Sequence, residues 1–270
     1  MSGIRSITLG TTNIDQTIEL FRDILGMNYR SVNQNAQFGD AEFSPGTCIQ
    51  FVEVPELQDS YQHYRSIGLR IPTDDGLEEY QALLDKSNIS YSDVAHLNQN
   101  EHFGFNDSNH QYYDIYSNET NSGIPLGVPS DSSNVSPFHQ ITGLGPIILN
   151  TNEPIVTGSL LTQIFGFKPL AEYTVEDGNK KVIVFTVGDG GLGGEIHVVE
   201  ADEAMKLPEF GIFEQLEFTA PSQKAFETAL EKLKLNEIPF QELKSEERQT
   251  RSIRVNDTSG IAFIFTLDEK

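Results

Sequence analysis

An internal repeat restricts the fold of this chain more than any other feature. Residues 20–27 (LFRDILGM) recur as residues 160–167 (LLTQIFGF), with apolar side chains at helical spacing and a glycine, Gly26 or Gly166, where the helix should stop. Downstream of each, residues 46–53 match residues 193–200, a glycine turn followed by a β-rich run that closes the unit. A weaker pair runs in parallel. Residues 74–89 and 222–235 read as helices opened by Thr73 or Asp74 and by Ser222 as N-caps, and residues 66–71 and 215–219 alternate as first strands.

The pattern is strand, helix and three strands, four times over, at about residues 3–56, 62–118, 140–201 and 210–269. The expected fold class is α+β, four βαβββ modules in two tandem domains forming half-barrel clefts. The domain boundaries expected are 1–118 for modules one and two, a polar linker at 119–136, and 137–270 for modules three and four. A βαβββ sheet is apolar under its helix, and its other face lines a half-barrel that a second module must complete, so the modules work in pairs and the cleft of each pair is where a ligand is sought.

Composition removes several function classes. Forty acidic against eighteen basic residues give a formal net charge of −22, which repels nucleic-acid phosphates and anionic lipid and reads as a solvated acidic surface. No uninterrupted apolar stretch reaches the roughly 20 residues of a membrane span, and the start of the chain has no secretion-signal pattern, so the expected location is cytoplasmic. The single cysteine, Cys48, sits in a strand-like run and reads as a small core residue. No Gly-rich phosphate loop, no Gly-x-Ser-x-Gly elbow and no basic aromatic stripe is present, which excludes nucleotide hydrolysis, serine hydrolysis and nucleic-acid binding.

The opening residues 3–9, the helix end at 24–27, the run 45–55, the bridge 137–145 and the closing residues 251–253 and 257–263 together resemble the two-domain ring-cleaving extradiol dioxygenases. These form the hydroquinone-type branch of the vicinal-oxygen-chelate superfamily, which also holds the glyoxalases and bleomycin-resistance proteins. The resemblance covers nearly the whole chain and rests on the order and spacing of short motifs. It implies that module one pairs with four and module two with three. It also implies an iron(II) or manganese(II) site of two histidines and one carboxylate, with open positions for a substrate with adjacent oxygens.

Carried over position by position, that triad falls on Ser6, Gln215 and Ile264. A serine hydroxyl, an amide and an aliphatic side chain do not make a divalent transition-metal site, so no metal cofactor is expected at these positions. A tyrosine that the family places near substrate falls at Arg254, and the family's pocket arginine has an out-of-register counterpart in Arg248. An inward Arg254 would favour an anionic ligand; as an edge-strand residue it would be solvated.

Six histidines remain, His63, His96, His102, His110, His139 and His197, none with recognisable metal spacing. His102 and His110 lie in turn-rich sequence and are expected to be exposed; His139 reads as an interdomain packing residue. By repeat alignment Asp114 and His197 take ligand positions in modules two and three, with Ser66 and Gly145 at the remaining ones, which gives a relocated Fe(II) or Mn(II) site as the alternative. Three function classes stay open. One is a metal-free member that binds a small molecule, the second an active dioxygenase or lyase on a small aromatic or dicarbonyl compound, and the third an interaction protein whose cleft is filled by side chains. The expected partner is a small-molecule ligand, with neither nucleic acid nor membrane, and an oligomer is compatible with the sequence.

Overall fold

Each repeat folds as one strand, a helix and three further strands. In the computed structural model, which describes residues 3–97, 99–175 and 180–269, the first module comprises β1 (Ile4–Thr11), α1 (Ile14–Ile18), β2 (Asn28–Val32), β3 (Asn35–Gly39) and β4 (Cys48–Glu53). The second comprises β5 (Tyr64–Ile71), α2 (Asp75–Lys86), β6 (Ala95–Leu97), β7 (Asn100–Asn106) and β8 (Tyr112–Ser117). The third has β9 (Gly143–Thr151), α3 (Pro154–Ser159), β10 (Lys168–Thr174), β11 (Lys181–Thr186) and β12 (Glu195–Glu200). The fourth has β13 (Gln215–Thr219), α4 (Gln223–Leu235), β14 (Gln241–Ser245), β15 (Thr250–Asn256) and β16 (Ala262–Asp268).

Local chemistry explains the helix ends. Asn13 caps α1 by accepting from the Gln16 N–H, Pro154 sits in the first turn of α3, where no intrahelical donor is lost, and Ser222 caps α4 by accepting from the Ala225 N–H at 3.1 Å. Asp74 corrects an expectation. Its own dihedrals are already helical and its carboxylate makes no cap bond, while its N–H donates to Glu119 at 3.0 Å. The repeated segments after α1 and α3 are π-helical turns, Glu19–Ile24 and Leu160–Ile164, closed by bonds from Leu25 N to Leu20 O and from Phe165 N to Leu160 O. Gly26 and Gly166 follow at φ +70° and +77°, a conformation that a Cβ disfavours, which is why a glycine ends both helices. The same strand-to-helix link recurs as well, with Thr11 hydroxyl-bonded to Thr17 at 2.8 Å and Thr151 to Thr157 at 2.7 Å.

Two eight-stranded sheets result. Sheet A runs β14-β15-β16-β13-β1-β4-β3-β2 and joins modules four and one; sheet B runs β10-β11-β12-β9-β5-β8-β7-β6 and joins modules three and two. At each seam the first strands pair antiparallel, β1 with β13 and β5 with β9, while each first strand runs parallel to the last strand of its own module. This is the one-with-four and two-with-three pairing.

Period-two alternation sends one face of every central strand into a shared core. Ile7, Ile49, Phe218, Phe263 and Ile253 of sheet A, and Ile67, Ile115, Ile147 and Ile196 of sheet B, belong to one continuous buried cluster with the apolar faces of the helices. Phe21, on the π turn of module one, has ring centroids 4.9 Å from Phe51 of sheet A and 5.4 Å from Tyr113 of sheet B. Phe165 does the corresponding work in module three, 5.2 Å from Phe265. The helices therefore lie between the sheets, and the opposite face of each sheet is left to form a cleft. No helix among the described residues is long and apolar enough to cross a membrane.

Candidate functional site

Strand register determines what lines each cleft. On sheet A the cleft-facing residues Gln241, Arg254, Ile264, Glu217, Ser6 and Cys48 lie side by side on β14, β15, β16, β13, β1 and β4 as one row across the sheet. Neighbours in such a row are about 4.8 Å apart. A second row, one pleat along, is Asn256, Ala262, Gln215, Thr8, Gln50, Gln37 and Arg30. Arg254 faces the cleft because Ile253 and Val255 on either side of it point into the core. Arg248 lies in the exposed turn between β14 and β15, outside both rows.

The carboxylate at the centre of this floor is Glu217, which the sequence reading did not single out. Ser6 Oγ and Thr266 Oγ1 each donate to it at 2.6 Å, Arg5 Nε stands 3.4 Å away, and Thr266 in turn shares a hydrogen bond with Ser252 at 2.8 Å. Arg5 is itself held by both oxygens of Asp268. The available signal was the alternation of residues 215–219, which puts Glu217 on the same face as Gln215. Arg254, in contrast, is weakly held. Its guanidinium donates to Ile212 O and Asn256 Oδ1 at 3.4 Å each, and it makes no ion pair among the described residues.

The set Ser6, Gln215 and Ile264 does not fit the Fe(II) or Mn(II) site that the resemblance implies. Ile264 offers no lone pair, the Ser6 hydroxyl proton is committed to Glu217, and Gln215 contributes an amide one pleat away from the other two. Among the described residues no group of three or more His, Cys, Asp or Glu side chains is disposed to hold a metal ion. Cys48 ends the row as a buried thiol, pushed up to about 11 by burial, so it is no nucleophile at neutral pH.

Sheet B places the alternative pair, Asp114 on β8 and His197 on β12, on its own cleft face, each already engaged. Asp114 accepts from Ser66 Oγ at 2.5 Å and pairs with His102 Nδ1 at 3.0 Å; His197 meets Tyr173 OH at 3.1 Å and Glu195 at 3.3 Å. His102 is thus a correction, a β7 side chain stacked on Tyr116 at 4.5 Å and not an exposed turn residue, because composition that resembles a turn was overridden by strand pairing with β8. His110 is exposed at φ +63° in the β7–β8 turn, and His139 bonds Glu79 of α2 at 2.5 Å. Gly145, the remaining position, packs its backbone against Gly68 so closely that a Cβ there would meet Gly145 C at 2.4 Å.

The two clefts differ in access. On sheet B, Ser66, Asp114, Tyr116, Glu195 and His197 are between 2% and 7% exposed, with His102 and Tyr173 at the margin less buried; on sheet A, Thr8, Gln37, Cys48 and Ile264 are buried but Ser6, Gln50, Gln215, Glu217, Ser252 and Arg254 are all partly open. A cavity of about 950 Å³ lies elsewhere, beside the N-terminus of α4, where Asp189, Asp268 and Glu269 line it. Arg251 also lines it, and Asp268 and Glu269 are already paired with Arg5 and Arg251, so among the described residues this groove presents no unpaired cation like Arg254 and the sheet A cleft is the better candidate site.

Sheets built this way, from four βαβββ modules with clefts on their concave faces, define the vicinal-oxygen-chelate fold. Comparison with known proteins agrees. No family model matches the chain. A Bacillus subtilis (strain 168) protein named "Putative ring-cleaving dioxygenase MhqA" is 25% identical over 214 residues, 75% of this chain and 67% of that protein. The crystal structure of a "putative dioxygenase" from Bacillus subtilis subsp. subtilis str. 168 matches with TM-score 0.73 and 16% identity, covering 99% of this chain and 86% of that one. Glyoxalase I from Zea mays matches with TM-score 0.65 and 11% identity over 99% and 93% of the two chains. The chain has the vicinal-oxygen-chelate fold and is similar in sequence to a protein named a "putative ring-cleaving dioxygenase".

Proposed function

We propose that this chain is a divergent, dioxygenase-like and glyoxalase-like protein that binds a small molecule in the sheet A cleft without a catalytic metal. One observation carries the reading. The cleft has the open, polar floor of a binding site, yet its triad positions hold Ser6, Gln215 and Ile264, and the Ser6 hydroxyl is spent on Glu217. Ring cleavage of the kind the relative's name denotes draws on a metal held by imidazoles and a carboxylate, and this donor set offers neither imidazole. The closed, internally paired face of sheet B fits a structural role, so binding is assigned to sheet A.

Elemental analysis of protein purified without chelators or a metal-affinity tag, followed by calorimetric titration with Fe(II) and Mn(II), tests the reading. The expected result is no stoichiometric metal and no titration heat. Near-stoichiometric metal would overturn it and direct attention to Asp114 and His197 as a relocated site serving a dioxygenase or lyase.

A further inference from the structure

We propose that the ligand of the sheet A cleft is a small carboxylic acid with an apolar body and a hydrogen-bond donor at its far end. This rests on the binding reading above and deepens it. The carrying feature is the order of side chains along one row, with Arg254, Ile264 and Glu217 on three adjacent strands. A cation and a carboxylate thus flank an aliphatic residue two strand spacings apart, roughly 9–10 Å between their backbones.

Arg254 is poised for an anion. It is half-buried, keeps two long hydrogen bonds to neutral acceptors, and has no carboxylate partner among the described residues. A guanidinium in that state gains two charge-assisted bonds when a carboxylate docks on its fork, and the Gln215 amide, facing the same end of the cleft, adds a neutral donor. Ile264 gives the middle of the ligand an apolar floor. Farther along the same face of β1, Gly10 leaves space for the Phe213 ring to lie on the sheet, where a Cβ would come within 2.7 Å of it. Behind Phe213 stand Val54, Tyr61 and Leu57.

Glu217 sets the other end. Both of its oxygens already accept from hydroxyls, which fixes the carboxylate in place, and each retains a lone pair for a further donor. A hydroxyl or phenol fits there, whereas a second carboxylate would be repelled. Arg5, bound on both sides by Glu217 and Asp268, balances the Glu217 charge; Arg30, the other arginine on this face without a carboxylate partner among the described residues, is bonded to Gln37 at the far edge on β2, which leaves Arg254 as the cation in the row of Ile264 and Glu217.

The probes are 3-(4-hydroxyphenyl)propanoate, 3-phenylpropanoate, which lacks the donor, and 4-ethylphenol, which lacks the acid, titrated calorimetrically into the full chain. The hydroxy acid is expected to bind at least tenfold more tightly than 4-ethylphenol. Arg254→Met should weaken the hydroxy acid tenfold or more and leave 4-ethylphenol unchanged, and Glu217→Gln should bring the hydroxy acid to the level of 3-phenylpropanoate. Circular dichroism on both variants separates loss of binding from loss of fold. Equal binding of acid and phenol, an Arg254→Met variant with full affinity, or no heat from any probe would overturn the proposal. Metal analysis of the same preparation keeps the two readings apart, since metal present sinks the metal-free reading, while metal absent with no preference for the acid sinks only this one.

Discussion

The imidazole of His63 is buried between the Glu214 carboxylate, which meets its Nδ1, and the Ser259 carbonyl, 2.6 Å from its Nε2. Both ring nitrogens face acceptors, an arrangement only the doubly protonated ring satisfies in full. Burial alone would lower the pKa of His63, but the Glu214 charge, the bond to it and the Ser259 carbonyl outweigh burial and raise it above the ordinary 6.5. The pair fixes the residue immediately before β13, and Tyr64 OH donates to the Gln215 carbonyl next to it, so the strand that carries Gln215 and Glu217 is anchored from sheet B.

A folded pKa above the unfolded one means that the folded chain keeps a proton the unfolded chain releases. The stabilisation from this pair is therefore complete below about pH 6.5 and is lost as pH climbs through the raised value. Denaturant midpoints measured from pH 6 to 9 should fall for the natural chain and stay flatter for His63→Gln. Parallel pH profiles for the two would refute the assignment.

Cys48 makes a second pH-linked prediction. Burial, the dominant influence, holds its pKa at about 11 despite the Thr47 hydroxyl nearby, so at pH 8 the thiol is protonated as well as covered. A disulfide reagent such as DTNB should label the native chain at least a hundredfold more slowly than the unfolded chain. Rapid native labelling would mean that β4 opens readily at its first residue.

These pairings show where sequence reading succeeds and stops. The four modules were legible because a repeated amphipathic pattern and two stop glycines are local signals, whereas the facing of Arg254 stayed open until burial of Ile253 and Val255 sent it the other way. Glu217 was not legible as a site residue, since its importance comes from lying across from Ser6 and Ile264, a register set by the β1–β13 and β13–β16 pairings. His102 was misread for a related reason. Polar residues around it resemble a turn, and only pairing with β8 puts its ring on Tyr116 and its Nδ1 on Asp114. Nor could composition show that the sheet B cleft is filled and the sheet A cleft open, because that depends on how side chains from separate strands meet.

Arg70 is the largest fully buried side chain among the described residues, a guanidinium lowered by desolvation to about 10 and therefore still charged at neutral pH. It donates to Leu144 O and Ile124 O at 2.8 Å and to Asn118 Oδ1 at 3.0 Å, and so ties residues 118–125 across the end of sheet B. Arg70→Met removes the buried charge but strands these acceptors, each costing about 1–3 kcal/mol when unsatisfied. Net destabilisation of roughly 2–4 kcal/mol by denaturant unfolding is expected. Faster amide exchange should be confined to residues 118–125 and their contacts. A variant as stable as the natural chain would show that the linker does not depend on this side chain.

If Ser6, Gln215 and Ile264 occupy the family's ligand positions, restoring the donors should restore the metal. Ser6 and Ile264 flank Glu217 directly in the register, and Gln215 stands one pleat along on the same face, so all three side chains project into one cleft. The triple variant Ser6→His, Gln215→His, Ile264→Glu supplies two imidazoles and a carboxylate there. Fe(II) or Mn(II) titration should then give binding near one ion per chain, with Ser6→His alone giving none, because one imidazole beside Glu217 leaves the coordination set short. Replacing buried Ile264 with glutamate costs stability in the absence of metal, so the melting temperature of the triple variant should fall without metal and recover when it is added. A folded triple variant that binds no metal would refute the positional equivalence itself.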